Sequence, residues 1–135
     1  MEHRTILLVE DELTYADFIR SAIGKADLPF TVAHVSSVAQ ALSYLKGDHP
    51  YSNRAKNPIP AIILLDLTLS TQSSFPVLAW LRDNNMLPHV RVIVLTASDH
   101  THDVQQALQL GASSYLLKSN SPSNVTDLLG RLALE

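Results

Sequence analysis

The stretch TILLVEDELTYADFIRSAIGKA, residues 5–26, changes its hydrophobic period once. Residues 5–10, TILLVE, are a short apolar run rich in branched side chains, as in a strand buried on both faces. From Asp11 onward the apolar residues return at helical spacing, with Tyr15, Ile19, Ala22 and Ala26 on one face, joined by Phe18 and Ile23. The stretch reads as strand then helix, and the change falls at three consecutive carboxylates, Glu10, Asp11 and Glu12.

The same unit recurs along the chain. FTVAHV (30–35) precedes a helix from about Ser37 to Lys46 that carries Val38, Ala41, Leu42 and Leu45 on one face. AIILLD (61–66) precedes a helix opened by Pro76, with Val77, Leu78 and Leu81 inward. VRVIVL (90–95) precedes a helix with Val104, Ala107 and Leu108, which Gly111 closes. SSYLLK (113–118) precedes a last helix that Ser121 caps and Pro122 opens, carrying Val125, Leu128, Leu129 and Leu132. Five strand-helix units with strands apolar on both faces predict an α/β protein, a parallel sheet covered by helices on both sides. Between the second helix and the third strand, GDHPYSNRAKNPIP (47–60) has three prolines and no hydrophobic period, and reads as an exposed loop.

Composition fits this reading. A chain of 135 residues suits one domain, 1–135, and 46% hydrophobic with 17% charged residues describes a compact protein. Net charge is −3 and the ten Lys and Arg are scattered, which gives no electrostatic footprint for nucleic acid. Without cysteine there is neither a disulfide framework nor a thiolate metal site. No apolar run approaches the ~20 residues that span a bilayer, and acidic residues arrive too early for a signal peptide, so the expectation is a cytoplasmic protein with no membrane partner.

Open α/β sheets bind ligands at the carboxyl edge of their strands, which directs attention to the strand ends. Strand one ends in Glu10-Asp11-Glu12, strand three in Asp66, strand four in Thr96-Ala97-Ser98 and strand five in Lys118. Singly, each has an ordinary explanation as a helix cap, a dipole partner or a solvated strand end. Together they converge. Carboxylates crowded in a partly buried crevice must share protons or hold a cation, and an oxygen-only set suits Mg²⁺ better than Zn²⁺. One carboxylate is then free as a nucleophile; an aspartate that attacks phosphorus makes an acyl phosphate, whose oxygens Thr96 and Lys118 would bind.

In this order on five βα units, the residues resemble the receiver domain of two-component response regulators over almost the whole chain. The motifs that carry the resemblance are LLVEDE with Glu10 and Asp11, LLDLTL with Asp66, VLTAS with Thr96, and SYLLKS with Tyr115 and Lys118. The resemblance implies a flavodoxin-like (βα)5 fold, a doubly wound parallel sheet of strand order 2-1-3-4-5. It implies Mg²⁺ held directly by Asp11, through water by Glu10, by one oxygen of Asp66 and by the backbone carbonyl of Thr68. It further implies that Asp66 is the phosphoacceptor for a sensor histidine kinase or phosphotransfer protein, that Lys118 neutralises phosphoryl charge, and that Thr96 and Tyr115 form a switch. The readout would be the face of helix four, strand five and helix five, used for a downstream protein target or a homodimer. Such a domain is a phosphoacceptor with self-phosphorylation and self-dephosphorylation chemistry, not a turnover enzyme.

Departures from the family pattern are local. Ser70 and Ser74 stand where the family usually has proline and glycine, which leaves the shape of the TLSTQSS loop open. The family's Lys-Pro, often cis, is here Lys118-Ser119; a cis bond without proline costs about 3 kcal/mol, so either a trans path or a strained one is expected. The extended 47–60 loop and the Lys-Ser pair look like the stand-alone receivers that serve bacterial phytochrome kinases, and no output domain is expected. A phosphorylation-independent receiver-like adaptor is the alternative, although such chains often lose Asp66, Thr96 or Lys118. A small phosphatase would want an aspartate at Thr68, and no G-x-G-x-x-G turn exists for a dinucleotide. His100 and His102 diverge by about 200° on a helix and read as solvated.

Overall fold

The computed structural model describes residues 3–69, 72–97, 101–119 and 121–135. In chain order the elements are β1 (Arg4–Val9), α1 (Leu13–Lys25), β2 (Phe30–Val35), α2 (Val38–Lys46), β3 (Ile62–Asp66), β4 (Thr68–Leu69), β5 (Gln72–Ser73), α3 (Phe75–Asp83), β6 (Arg91–Thr96), α4 (Thr101–Gln109), β7 (Ser114–Leu117) and α5 (Ser123–Leu132). Five strands pair in parallel in the order β2-β1-β3-β6-β7, which is the expected 2-1-3-4-5 order of the five units. The two further labels belong to a short antiparallel hairpin, β4 with β5, in the segment whose shape the sequence left open.

Alternation along the strands builds the two layers. Leu7, Val9, Ile63, Leu65, Val92 and Val94 face a core completed by α2, α3 and Ala107 of α4. Ile6, Leu8, Ile62, Leu64, Ile93 and Leu95 face the other, completed by α1 and α5. A strand apolar on both faces is buried on both faces, as its continuous apolar run requires.

Helix faces turn slightly from the expected ones. In α1 the buried residues are Ala16, Ile19 and Ile23; Tyr15, Phe18 and Ala22 are half-buried, and Ala26 is exposed. In α4, Val104 and Ala107 are buried while Leu108 is exposed. In α5 the N-cap is Pro122, with no side-chain capping bond, rather than Ser121. Ser37 does cap α2, its hydroxyl accepting from the Gln40 amide at 3.1 Å. Gly111 carries the chain out of α4 at φ 113°, a left-handed conformation that favours glycine.

The 47–60 segment is solvent-facing yet held at its centre. Arg54 reaches back over the end of α2, its Nη1 donating to the carbonyls of Tyr44 (2.8 Å) and Asn57 (3.1 Å) and its Nη2 to that of Leu45 (2.7 Å). The Tyr44 and Leu45 carbonyls belong to the last turn of α2, where intrahelical partners run out. Tyr51 packs beside Tyr44, ring centroids 5.1 Å apart, and the Tyr44 hydroxyl donates to the Pro58 carbonyl at 2.9 Å.

Candidate functional site

Sheet register assembles the site. Val9 pairs with Leu65, Asp66 with Leu95, and Thr96 with Leu117. The residues just past these partners, Glu10, Asp66, Thr96 and Lys118, therefore fall along one edge of the sheet. Asp11 follows Glu10, and α1 begins two residues later.

Glu10, Asp11 and Asp66 each offer an oxygen within 4.8 Å of the others. Glu10 is wholly buried and Asp66 nearly so, at 4% exposure, while Asp11 is half-buried. Lys118 enters from the end of β7. Its Nζ donates to Asp66 Oδ2 at 2.9 Å and lies 2.5 Å from Glu10 Oε1. The second contact is an ion pair, and Lys118 is the partner the structure gives to the buried Glu10 Oε1. Glu10 Oε2 accepts from the Glu12 amide at 3.2 Å, whereas the Glu12 side chain makes no capping bond on α1.

The electrostatics follow from this burial. Desolvation, helped by Asp66 and only partly offset by Lys118, raises the Glu10 pKa to about 7. Burial would lower the Lys118 pKa, but its contacts with Glu10 and Asp66 outweigh that and raise it, so the ammonium stays charged. Three carboxylates against one ammonium leave two negative charges when all are ionised. A partly buried, oxygen-only cluster of that charge fits a hard divalent cation.

Thr96 is buried, and its carbonyl accepts from the Lys118 amide at 2.8 Å, which fixes where the lysine leaves the sheet. Tyr115 is 42% exposed on β7, and Leu117 is exposed on the same face. Thr68 heads β4, two residues beyond Asp66. The peptide bond between Lys118 and Ser119 is trans; the cis bonds among the described residues are His49–Pro50 and Leu87–Pro88. Ser70, Ser98 and His100 lie outside the described residues, and His102 is exposed.

Three contacts were not anticipated from the sequence. Ser74 is fully buried and its hydroxyl donates to the carbonyl of Asp66 at 2.5 Å, so the serine that replaces the family's glycine holds the backbone of the central aspartate. His34 Nε2 lies 2.7 Å from the Glu10 carbonyl oxygen, tying the edge strand β2 to the end of β1. The Tyr15 ring lies under the ammonium, its centroid 4.8 Å from Lys118 Nζ. A cavity of about 510 Å³ lies at the opposite edge, where β1 and β2 begin, and takes no part in this constellation.

A parallel sheet of this order with an acidic triad, a hydroxyl and a lysine at its carboxyl edge defines a class, and the family comparison agrees. Residues 6–130 match the response regulator receiver domain, and the chain belongs to that family. Response regulator Rcp1 of Synechocystis sp. is 30% identical over 125 residues, covering 93% of this chain and 81% of Rcp1. Its Mn(2+)-bound crystal form superposes with a TM-score of 0.79 at 27% identity, covering 96% of this chain and 91% of that one. The phosphorylated cyanobacterial phytochrome response regulator RcpA gives a TM-score of 0.80 at 28% identity, with 96% and 91% of the two chains covered. RPA3017, a response regulator in red light signaling of R. palustris, gives 0.81 at 28% identity, with 96% and 90% covered.

Proposed function

We propose that this receiver domain accepts a phosphoryl group on Asp66 from the phosphohistidine of a sensor histidine kinase or phosphotransfer protein and signals through a changed protein-docking face. The observation that carries the reading is the placement of Asp66: a nearly buried carboxylate, at the carboxyl edge of the central strand, bonded to Lys118 and beside Glu10 and Asp11.

Asp66 would attack phosphorus through a carboxylate oxygen; the P–N bond to the imidazole breaks, and the imidazole leaves as an acyl phosphate forms. Lys118, released from Asp66 Oδ2, pairs with a phosphoryl oxygen. Glu10, Asp11, Asp66 and the Thr68 carbonyl would hold Mg²⁺. When bound, the ion neutralises charge on the phosphoryl oxygens and keeps them aligned for in-line attack. The hydroxyl of Thr96 then donates to a new phosphoryl oxygen, and Tyr115 turns from solvent into the space behind it. The face altered is that of α4, β7 and α5, which would serve a downstream protein or a second copy of the domain.

The relatives refine the partner. RcpA is a phytochrome response regulator and RPA3017 acts in red light signaling, which supports a phytochrome-type kinase as donor. The chain spans 81% of Rcp1, which supports signalling through the receiver itself. Such a partnership belongs in the cytoplasm; among the described residues no helix is long and apolar enough to cross a membrane.

The test is intact mass after incubation with Mg²⁺ and a small phosphodonor. The wild type gains one phosphoryl group and Asp66→Asn gains none. Equal labelling of the two, or none on the wild type, would leave the phosphorylation-independent adaptor in its place.

A further inference from the structure

We propose that Tyr15 is a positioning residue for Lys118, its ring a platform that keeps the ammonium over the site while the carboxylates around it change partners. The inference rests on the phosphoacceptor reading of Asp66. Tyr15 stands on the first turn of α1, half-buried, four residues after Asp11. The helix beneath it is pinned by Ala16, Ile19 and Ile23, and Phe18 backs the ring with centroids 6.1 Å apart. Lys118 Nζ lies 4.8 Å from the ring centroid, inside the range where an ammonium is drawn to an aromatic face.

A lysine ammonium has three donors on a flexible four-carbon stem. Here one bonds Asp66 Oδ2, the head contacts Glu10 Oε1, and the ring supports it from α1. Two of these three contacts are consumed by the reaction: Asp66 becomes an acyl phosphate, and Glu10 belongs to the cluster that suits a cation. The ring contact depends on neither. Tyr15 also walls a cleft of about 210 Å³ with Glu12, Thr14, Phe18 and Ser119. Without the ring, that cleft would open to the site and give the lysine both room and an exposed carboxylate, Glu12, to pair with instead.

Tyr15→Phe keeps the ring and removes the hydroxyl; Tyr15→Leu keeps apolar volume and removes the ring. Three readouts are compared: the rate of phosphorylation by a small phosphodonor, Mg²⁺ affinity, and the proton shifts of the Lys118 side-chain methylenes, which the ring current displaces upfield. The leucine variant should phosphorylate about fivefold more slowly, the size of one partly desolvated cation-π contact. It should lose the upfield displacement and keep wild-type Mg²⁺ affinity, while the phenylalanine variant behaves as wild type in all three. A leucine variant at the wild-type rate, a phenylalanine variant as slow as leucine, or Mg²⁺ affinity falling along with the rate would each overturn the positioning role. If the wild type takes no phosphate, the phosphoacceptor reading fails by itself. The Lys118 shifts still decide this inference, and identical shifts in wild type and Tyr15→Leu would sink it.

Discussion

Glu10 is the residue whose setting departs furthest from its type: a carboxyl with no solvent exposure, raised from 4.5 to about 7 chiefly by burial. A raised acid means that between these two values the folded state keeps a proton the unfolded chain has lost. Its contribution to stability is therefore lost as pH rises from about 4.5 to about 7, a total on the order of 3 kcal/mol. In EDTA, urea unfolding of the wild type should show this fall, and Glu10→Gln should flatten it. Added Mg²⁺ should stabilise the wild type more at pH 8 than at pH 5, since the cation needs the deprotonated ligand. At this scale the convergence of Glu10, Asp11, Asp66 and Lys118 was legible, because residues that end neighbouring parallel strands share one edge of the sheet. Tyr15 and Ser74 were not. Their partners, Lys118 and the Asp66 carbonyl, are brought to them by the fold, and neither residue type announces such a contact.

Elements read well from the sequence where a hydrophobic period marked them. The five strands and five helices stand where the changes of period put them, and the sheet order matches the one implied by the receiver resemblance. What went unread had no period. The β4–β5 hairpin is two residues a side, too short to show alternation. The 47–60 segment is held by side chains, among them Tyr44, Asn53 and Arg54, whose guanidinium answers carbonyls at the end of α2 and at Asn57. Gly47 closes α2 at φ 76°, and a Cβ there would sit 3.0 Å from that guanidinium, so the turn and the arginine are fitted to each other. Arg54→Ala should cost about 1 to 2 kcal/mol, the scale of charge-assisted bonds to carbonyls that become partly solvated. It should also speed hydrogen exchange at the Tyr51 and Asn57 amides, which bond within the segment. Phosphorylation of Asp66, on the far side of the sheet edge, should be unaffected. A change in its rate would mean the segment reaches the site.

Under the proposed function, the whole molecule would join a buried chemical edge to an exposed face. Thr96 is buried beside the site, while Tyr115, paired through Val94 on the neighbouring strand, is 42% exposed on β7. Phosphorylation should slow hydrogen exchange in β7 and alter it in α4 and α5. Thr96→Ala should take phosphate on Asp66 yet leave those segments unchanged. If both proteins respond alike, the hydroxyl does not couple site to face. All of this depends on where the phosphoryl group goes, and reduction of the phosphorylated protein with borohydride decides it, because an aspartyl phosphate is converted to homoserine. Peptide mass spectrometry should find homoserine at position 66 and nowhere else; homoserine at position 11, or phosphate retained on a histidine with Asp66 intact, would contradict the assignment of Asp66 as the phosphoacceptor.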